Sequence, residues 1–399
     1  MVQYDMKFER SLVKVLLKAL GKRSPVFQVI IGPRQVGKTT IAYQVLGKLP
    51  YPSVYASADA PLPPGPEWIE TQWRLAEVEL KKTKKPVILV LDEIQKVRGW
   101  GESLKRLWDN ATHTGQDIRL MALGSSALLL NEGLTESLAG RFFLNRCSHW
   151  PYYECAEAFG WDLKRWLYFG GYPGAAAFAD DESQWKRYVT DSLIEAVLAR
   201  DVLQMQKIAK PALLRHLFAL AATFPAQIFS YNKMLGQLQD AGNTTTLAHY
   251  LRLLETAFLV SGLELFSRGQ IRKRGSSPKL ILWNNALVNA LSTKTFKESV
   301  GNEAWWGRLV ENAAGAHFCN TLPGSDYHLT YWRDGDREVD FVITRGAEIW
   351  AVEVKSGRGG KGSGLERFRS RYPNAHMMVI GSSGIPLEKF FLDPAEAWL

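Results

Sequence analysis

The segment 32–40 reads Gly-Pro-Arg-Gln-Val-Gly-Lys-Thr-Thr. Glycines at this spacing allow a loop to wrap around a polyphosphate, so that successive backbone N–H groups and the start of a helix face the anion. Lys38 is placed to reach the outer phosphates, and Thr39 is placed to ligate Mg²⁺. The alternative is a glycine turn without a ligand. We predict ATP and Mg²⁺ as cofactors, and the predicted ATP-binding residues are Gly32, Pro33, Arg34, Gln35, Val36, Gly37, Lys38, Thr39 and Thr40.

Two carboxylates follow the apolar run 87–91. Asp92 and Glu93 would stand at the carboxyl end of a buried strand, where an open α/β sheet places its ligands. We expect Asp92 to hold Mg²⁺ through water and Glu93 to activate the attacking water as a general base. An acidic pair is common on its own, but this pair lies downstream of a complete phosphate-binding loop.

Two more residues could contact the transferred phosphoryl group. Ser125 follows the apolar run 118–123 and could hydrogen-bond the γ-phosphate or the water; the alternative is a turn serine that caps the next helix. Arg141 could stabilise charge on its own nucleotide or on that of a neighbouring subunit, which would require a homo-oligomer. The alternative for Arg141 is a structural ion pair.

A second group of charged residues lies in the last hundred positions of the chain. Asp340 is on one predicted strand, and Glu353 and Lys355, two apart, face the same side of the next. With Glu311 on a predicted helix, these residues suit metal-assisted phosphodiester hydrolysis. Asp340 and Glu353 would bind Mg²⁺, Glu311 would position or share the metal, and Lys355 would lower the pKa of the attacking water. The alternative is an ion-pair network in an inactive fold.

Three helix patterns, at 212–223, 231–240 and 244–260, precede two apolar strand patterns separated by a basic turn. Three short helices and a hairpin predict a winged helix, whose third helix would enter a major groove and whose turn would meet phosphates. The alternative is a contact surface for a protein. The predicted DNA-binding residues are Thr245, Thr246, His249 and Arg252 on the third helix, and Arg268, Arg272, Lys273 and Arg274 on the turn.

The order of the phosphate loop, the Asp-Glu strand, the Ser-ended strand and Arg141 resembles the AAA-type ATPases. The segments Leu-Gly-Ser-Ser-Ala, Leu-Ala-Gly-Arg and Gly-Gly-Tyr-Pro-Gly are similar to a bacterial and archaeal ATPase family with a C-terminal region of unknown function. The C-terminal charged residues resemble the PD-(D/E)XK nucleases, in the style of Holliday-junction resolvases and restriction enzymes. Val339 stands where that pattern has proline.

The elements that must position these residues complete the α/β prediction. The apolar run 26–31 between Pro25 and Gly32 predicts a buried strand of a parallel sheet, and a helical pattern follows the loop. We expect a P-loop ATPase module with a parallel sheet at 1–150, a helical lid at 151–205, a winged helix at 206–300 and a restriction-endonuclease-like α/β domain at 301–399.

Composition limits the class of protein. At 399 residues, with 46% hydrophobic and 22% charged residues, the chain is expected to form two or three globular domains. It has no run long enough to cross a bilayer and no signal-peptide pattern, so we expect a cytoplasmic protein without a membrane partner. Three cysteines lack the spacing of a zinc site. The formal charge of +9 permits a nucleic-acid partner.

These residues support two hypotheses of different class. In the first, ATP hydrolysis drives or gates DNA engagement and the C-terminal site cuts. In the second, the protein is a nucleotide-controlled switch that holds DNA or a protein partner and never cleaves. A small-molecule kinase is disfavoured, because Glu93 is placed to activate water.

Overall fold

The structure is a computed structural model that describes residues 8–60, 62–125, 138–202, 208–238, 242–267, 277–357 and 363–399. The chain divides into two compact units, Met1–Ser148 and His149–Leu399. Among the described residues, no helix combines the length and the apolar character needed to span a membrane.

The first unit is built on a sheet of five parallel strands, in the order β2-β3-β4-β1-β5. Every residue of β1, β3 and β4 is buried, as expected for central strands covered on both faces. The predicted parallel sheet is therefore confirmed. The strands are β1 (Phe27–Ile31), β2 (Ser53–Ser57), β3 (Val87–Asp92), β4 (Ile118–Gly124) and β5 (Phe142–Arg146).

In the described part of this unit, four helices accompany the sheet. They are α1 (Ser11–Leu20), α2 (Lys38–Lys48), α3 (Glu67–Thr83) and α4 (Trp100–His113). The buried residues of α3 and α4 include Trp73 and Trp100, which are among the largest fully buried side chains. Because β4 lies between β1 and β3, the carboxyl ends of these strands bring Gly32, Ser125 and Asp92 to one edge of the sheet.

The second unit begins with short helices. They are α5 (Tyr152–Phe159), α6 (Leu163–Phe169), α7 (Pro173–Ala176) and α8 (Glu182–Arg187), followed by π-helical turns at Tyr188–Ile194 and Val197–Val202. Gly160 and Gly170 end α5 and α6 in backbone conformations of positive φ. Helical structure was predicted here, and its role as a lid remains a prediction.

Three helices and an antiparallel strand pair follow. They are α9 (Pro211–Thr223), α10 (Tyr231–Gln237), α11 (Thr244–Thr256), β6 (Val260–Leu263) and β7 (Lys279–Leu282). The predicted helix 244–260 was too long, because Phe258 adopts a positive φ of 55° and Val260 begins β6. Residues 268–276 of the turn between β6 and β7, which include four predicted DNA-binding residues, lie outside the described residues.

The C-terminal part is a second α/β layer. Its sheet has the order β11-β10-β9-β8, in which β8, β9 and β10 are antiparallel and β11 runs parallel to β10. The strands are β8 (His328–Asp334), β9 (Arg337–Arg345), β10 (Glu348–Lys355) and β11 (His376–Gly381). The helices are α12 (Asn285–Asn289), α13 (Phe296–Gly301), α14 (Glu303–Thr321), α15 (Ser363–Arg371) and α16 (Leu387–Leu392).

Candidate functional site

The loop between β1 and α2 needs glycine at both ends. A Cβ atom on Gly32 would lie 1.9 Å from the carbonyl oxygen of Cys147, so only glycine allows this approach of two backbones. Gly37 has φ 94° immediately before the first residue of α2. The backbone therefore turns sharply at Gly37, and α2 begins at the lysine that the sequence assigned to the phosphates.

The side chain of Lys38 is folded into this loop. It is 8% exposed, and its Nζ donates to the carbonyl oxygens of Gly32 at 2.8 Å and Pro33 at 2.7 Å. These contacts hold a positive charge inside the turn, where the N–H groups at the start of α2 also favour an anion. The arrangement suits the predicted contact of Lys38 with phosphates.

Asp92 accepts three hydrogen bonds at the end of β3. Its Oδ2 accepts from Thr39 Oγ1 at 2.8 Å and from the hydroxyl of Tyr55 at 2.8 Å, and its Oδ1 accepts from the backbone N–H of Glu93 at 2.9 Å. Asp92 is only 4% exposed, and these donors stabilise its charge. The two residues predicted to hold Mg²⁺, Thr39 and Asp92, therefore lie in direct contact.

Tyr55 was missed in the sequence. Burial, and then its hydrogen bond to Asp92, raise the pKa of the Tyr55 hydroxyl, so this group stays a donor. The structure explains its role, because Tyr55 lies on β2, which pairs with β3 in parallel. A tyrosine on a strand is ordinary, and the sequence did not show that β2 and β3 are neighbours.

Glu93 has a left-handed backbone, with φ 54° and ψ 34°. Its Oε2 accepts from Gln95 Nε2 at 2.8 Å and lies 3.9 Å from Lys96 Nζ. Lys96 also pairs with Asp59. Non-glycine residues seldom adopt this conformation, and where they do the surroundings must hold it.

Ser125 follows the last residue of β4 and is 4% exposed. Its Oγ has no hydrogen-bond partner among the residues that the structure describes. A buried hydroxyl without a partner is unusual, because its desolvation is uncompensated. The expected helix cap cannot be compared, since the residues that follow Ser125 lie outside the described ranges.

Arg141 requires a correction. Its guanidinium forms a two-point ion pair with Asp109, with Nε 2.7 Å from Oδ1 and Nη2 2.9 Å from Oδ2. Arg141 immediately precedes β5, and its carbonyl accepts from the N–H of Phe27, the first residue of β1. Because β1 spans about 15 Å, Arg141 is at the opposite edge of the sheet from the phosphate loop. It does not reach the nucleotide of its own module, and a role toward a neighbouring subunit remains a prediction.

The C-terminal carboxylates converge on a lysine that the sequence analysis did not consider. Lys279, on β7, is 0% exposed. Its Nζ lies 2.5 Å from Glu311 Oε1, 3.1 Å from Glu338 Oε1 and 3.5 Å from Asp340 Oδ1. Glu311, Glu338 and Asp340 each place an oxygen within 4.8 Å of the others. We call these four residues the Lys279 cluster.

Burial shifts the pKa values in the Lys279 cluster. For Lys279, burial acts to lower the pKa, but the charges of Glu311, Asp340 and Glu338 outweigh it, so the pKa is raised. For Glu311, burial and the charge of Asp340 raise the pKa, and Lys279 opposes them. The ammonium group of Lys279 therefore offsets burial and the repulsion between the carboxylates only in part, and the pKa of Glu311 stays raised.

The predicted metal set also requires correction. Asp340 joins the cluster, but Glu353 is not part of it. Glu353 Oε1 lies 3.1 Å from Lys355 Nζ, while Asp340 Oδ2 accepts from the backbone N–H of Val354 at 2.8 Å. Glu338, which was not predicted, takes the place expected for Glu353. The reason is that β9 presents Glu338 and Asp340 together to Lys279 of β7.

The predicted DNA-binding residues of α11 share an outer face. Thr245, His249 and Arg252 are exposed, and Thr246 is half-buried. Leu247, Leu251 and Leu254 are buried on the other side of the helix. Asn243 caps α11 by accepting from the N–H of Thr246 at 2.9 Å. Arg268, Arg272, Lys273 and Arg274 lie outside the described residues.

Three family models match successive segments. They are an AAA domain at residues 25–154, a domain of unknown function (DUF8612) at residues 160–298 and a domain of unknown function (DUF4143) at residues 306–389. The first match makes residues 25–154 similar to an AAA domain, which supports the predicted class of the N-terminal module.

Comparison with characterised proteins gives low similarity. No curated protein matches the chain. Among solved structures, the chain is similar to the Aeropyrum pernix ORC1 protein in complex with DNA, at 18% identity over 72% of this chain and 92% of that chain, with a TM-score of 0.26. It is also similar to AMPPCP-bound DnaA from Aquifex aeolicus, at 16% identity over 65% of this chain and 93% of that chain, with a TM-score of 0.32.

Proposed function

We propose that the protein is a Mg²⁺-dependent ATPase that uses nucleotide binding and hydrolysis to control a nucleic-acid-binding C-terminal region. The observation that carries the ATPase proposal is the 2.8 Å hydrogen bond between Thr39 and Asp92. It joins the first turn of α2 to the carboxyl end of β3, so the phosphate loop and the acidic pair face one site.

The donors at this point suit magnesium. A hydroxyl and a carboxylate offer the hard oxygen ligands that Mg²⁺ prefers, and their mutual contact shows that both reach one position. Thr39 would hold the ion directly and Asp92 through water. When bound, Mg²⁺ neutralises charge on the β- and γ-phosphates.

The chain's own groups would then carry out the hydrolysis. Lys38 would leave the carbonyls of Gly32 and Pro33 for the outer phosphates, and Ser125 would donate its unpartnered hydroxyl to the γ-phosphate. Glu93 would take a proton from water while the water oxygen attacks the γ-phosphorus. The bond from the γ-phosphorus to the β–γ bridging oxygen breaks, which yields ADP and phosphate.

Replacing the proposed base tests this mechanism. Glu93→Gln should keep ATP affinity but lower the turnover number at least about 10²-fold, because a positioned general base contributes that much or more. Glu67→Gln, on an exposed position in the first turn of α3, is the matched control and should behave as wild type. Unchanged turnover in Glu93→Gln would exclude Glu93 as the base.

We further propose that the α9–α11 segment and the β6–β7 pair form a winged helix that binds DNA. The supporting observation is that α11 exposes Thr245, His249 and Arg252 while its leucines are buried. Arg252→Glu should weaken binding to duplex DNA, because it would replace a guanidinium in the major groove by a carboxylate. Arg74→Glu, on the exposed side of α3, makes the same charge change elsewhere. Equal losses in both variants would point to nonspecific charge.

A metal-dependent nuclease is the second candidate, favoured by the close approach of Glu311, Glu338 and Asp340. The alternative, a switch with an inactive nuclease-like fold, is supported by the Lys279 ammonium among those carboxylates. Plasmid and branched DNA should be incubated with Mg²⁺, with and without ATP. Nicking that is lost in Asp340→Ala and Lys355→Ala would favour the nuclease, and nicking that persists in both would exclude it.

A further inference from the structure

Gln95 lies in the short 3₁₀ turn Ile94–Lys96, which directly follows Glu93. The residue is 5% exposed, and its Nε2 donates to Glu93 Oε2 at 2.8 Å. An ionised carboxylate only accepts hydrogen bonds, so the amide nitrogen must be the atom that faces it. The orientation of the Gln95 side chain is therefore fixed by Glu93.

The amide of Gln95 is otherwise poorly satisfied. Its Oε1 is buried and has no hydrogen-bond partner in the part of the chain that the structure describes. A buried amide oxygen without a partner costs about 1–3 kcal/mol. An apolar side chain would fill this position without that cost, so the amide is not explained by packing.

The backbone of Glu93 points to the same requirement. The φ of 54° at Glu93 is a conformation that a β-carbon disfavours, so the surrounding residues must hold it. This backbone conformation sets the direction of the Glu93 side chain at the end of β3. Lys96 cannot replace the amide as a holder of Glu93, because its Nζ is 3.9 Å from Oε2 and is also paired with Asp59. Gln95 supplies the directional contact.

We infer that Gln95 is a positioning residue for Glu93. It holds Oε2 of the carboxylate and leaves Oε1 to accept the proton of the attacking water. This inference rests on the proposed ATPase function, in which Glu93 is the base. In this role Gln95 acts through its contact with Glu93.

Two substitutions separate the hydrogen bond from packing. Gln95→Leu removes the donor and keeps most of the volume, and Gln95→Glu keeps the shape but places a second carboxylate against Glu93. Both should lower kcat for ATP about 10-fold to 100-fold, the range expected when a reacting group is misplaced by about 1 Å. The KM for ATP and the affinity for a non-hydrolysable analogue should not change, because the phosphate loop is intact.

A matched control is available in the same module. Gln116 precedes β4 and also has a buried Oε1 without a partner among the described residues, but it lies at the amino ends of the strands. Gln116→Leu should leave kcat unchanged. A general loss of stability caused by removing a buried amide would lower kcat in both leucine variants and would overturn the inference.

A double-mutant cycle gives the decisive measurement. Single-turnover rates are compared for wild type, Gln95→Leu, Glu93→Ala and the double variant. If Gln95 acts through Glu93, Gln95→Leu should change the Glu93→Ala rate less than twofold. Equal losses in both backgrounds, or no loss in either, would overturn the inference. Full activity in Glu93→Ala would instead overturn the proposed function.

Discussion

Lys279, which is fully buried, forms an ion pair with the partly exposed Glu311, in which Nζ lies 2.5 Å from Oε1. The two residues come from different elements of the second unit, β7 and α14. Glu338 and Asp340 of β9 complete the surroundings of the ammonium group. The ammonium group of Lys279 thus lies where a metal ion would be expected among these carboxylates. Removing it leaves the carboxylate charges facing one another.

Lys279→Met should destabilise the protein by about 1–3 kcal/mol, because it removes the buried cation that pairs with three partly exposed carboxylates. The free energy of unfolding is measured by urea denaturation. Lys297→Met, which changes an exposed lysine of α13, should stay within about 0.5 kcal/mol of wild type. Similar stability of the two variants would show that the cluster contributes nothing net.

Gly32→Ala should abolish nucleotide binding, since its Cβ would lie 1.9 Å from the carbonyl oxygen of Cys147. The backbones must separate, at a cost of about 1–3 kcal/mol, and the loop loses its shape. Gly47→Ala, in α2 with open space around its Cβ position, should instead stabilise the helix by up to about 1 kcal/mol. Fluorescent-nucleotide titration and urea denaturation check both variants. ATP binding by Gly32→Ala at wild-type affinity would contradict this account of the loop.

Tyr55→Phe removes one of the two hydroxyl donors to Asp92 Oδ2. The Mg²⁺ concentration for half-maximal ATP turnover should rise about tenfold, the scale of a lost outer contact at a metal ligand. A Mg²⁺ titration of ATPase activity measures it. Tyr51→Phe, which removes a hydroxyl that donates to the carbonyl of Gly21, is the control and should keep the wild-type requirement. An unchanged requirement in Tyr55→Phe would show that Thr39 and the backbone N–H of Glu93 suffice to orient Asp92.

The buried imidazole of His317 should make stability depend on pH. Burial lowers the pKa of His317 from 6.5 to about 4. Between these values the unfolded chain binds the proton that the folded protein excludes, so stability is complete above pH 6.5 and falls as the pH drops toward 4. The loss at this residue is on the order of 3 kcal/mol.

The free energy of unfolding should be measured across this pH interval for wild type, His317→Gln and His113→Gln. His317→Gln should flatten the dependence, whereas His113→Gln, at an exposed position, should keep the wild-type slope. A slope in His317→Gln as steep as that of wild type would assign the effect to other groups.

The residues predicted for the nucleotide site come from two patterns that are local in the sequence. The phosphate loop is one continuous segment, and Asp92 and Glu93 follow a run of apolar residues that is typical of a buried strand, which the structure has as β3. The parallel sheet then brings the two together. Tyr55 and Gln95 escaped notice because their roles depend on strand order and on a side-chain rotamer, neither of which leaves a pattern.

The C-terminal site was harder to predict for a physical reason. Asp340 and Glu311 were expected near each other, but the cation between them comes from Lys279, on a strand assigned to another segment. The residues around Lys279 in the sequence do not indicate that its side chain is buried. Arg141 shows a related difficulty. An arginine in a loop can lie at the amino ends or at the carboxyl ends of the strands, and the strand direction determines which.

The gap between the two matched segments of unknown function, at residues 299–305, falls between Lys279 and all three of its carboxylates. A polypeptide cut in this gap would leave Lys279 in one fragment without its carboxylates and the three carboxylates in the other fragment without their cation. We therefore expect the two matched segments to fold only together. Neither fragment should reach its native structure when it is expressed alone.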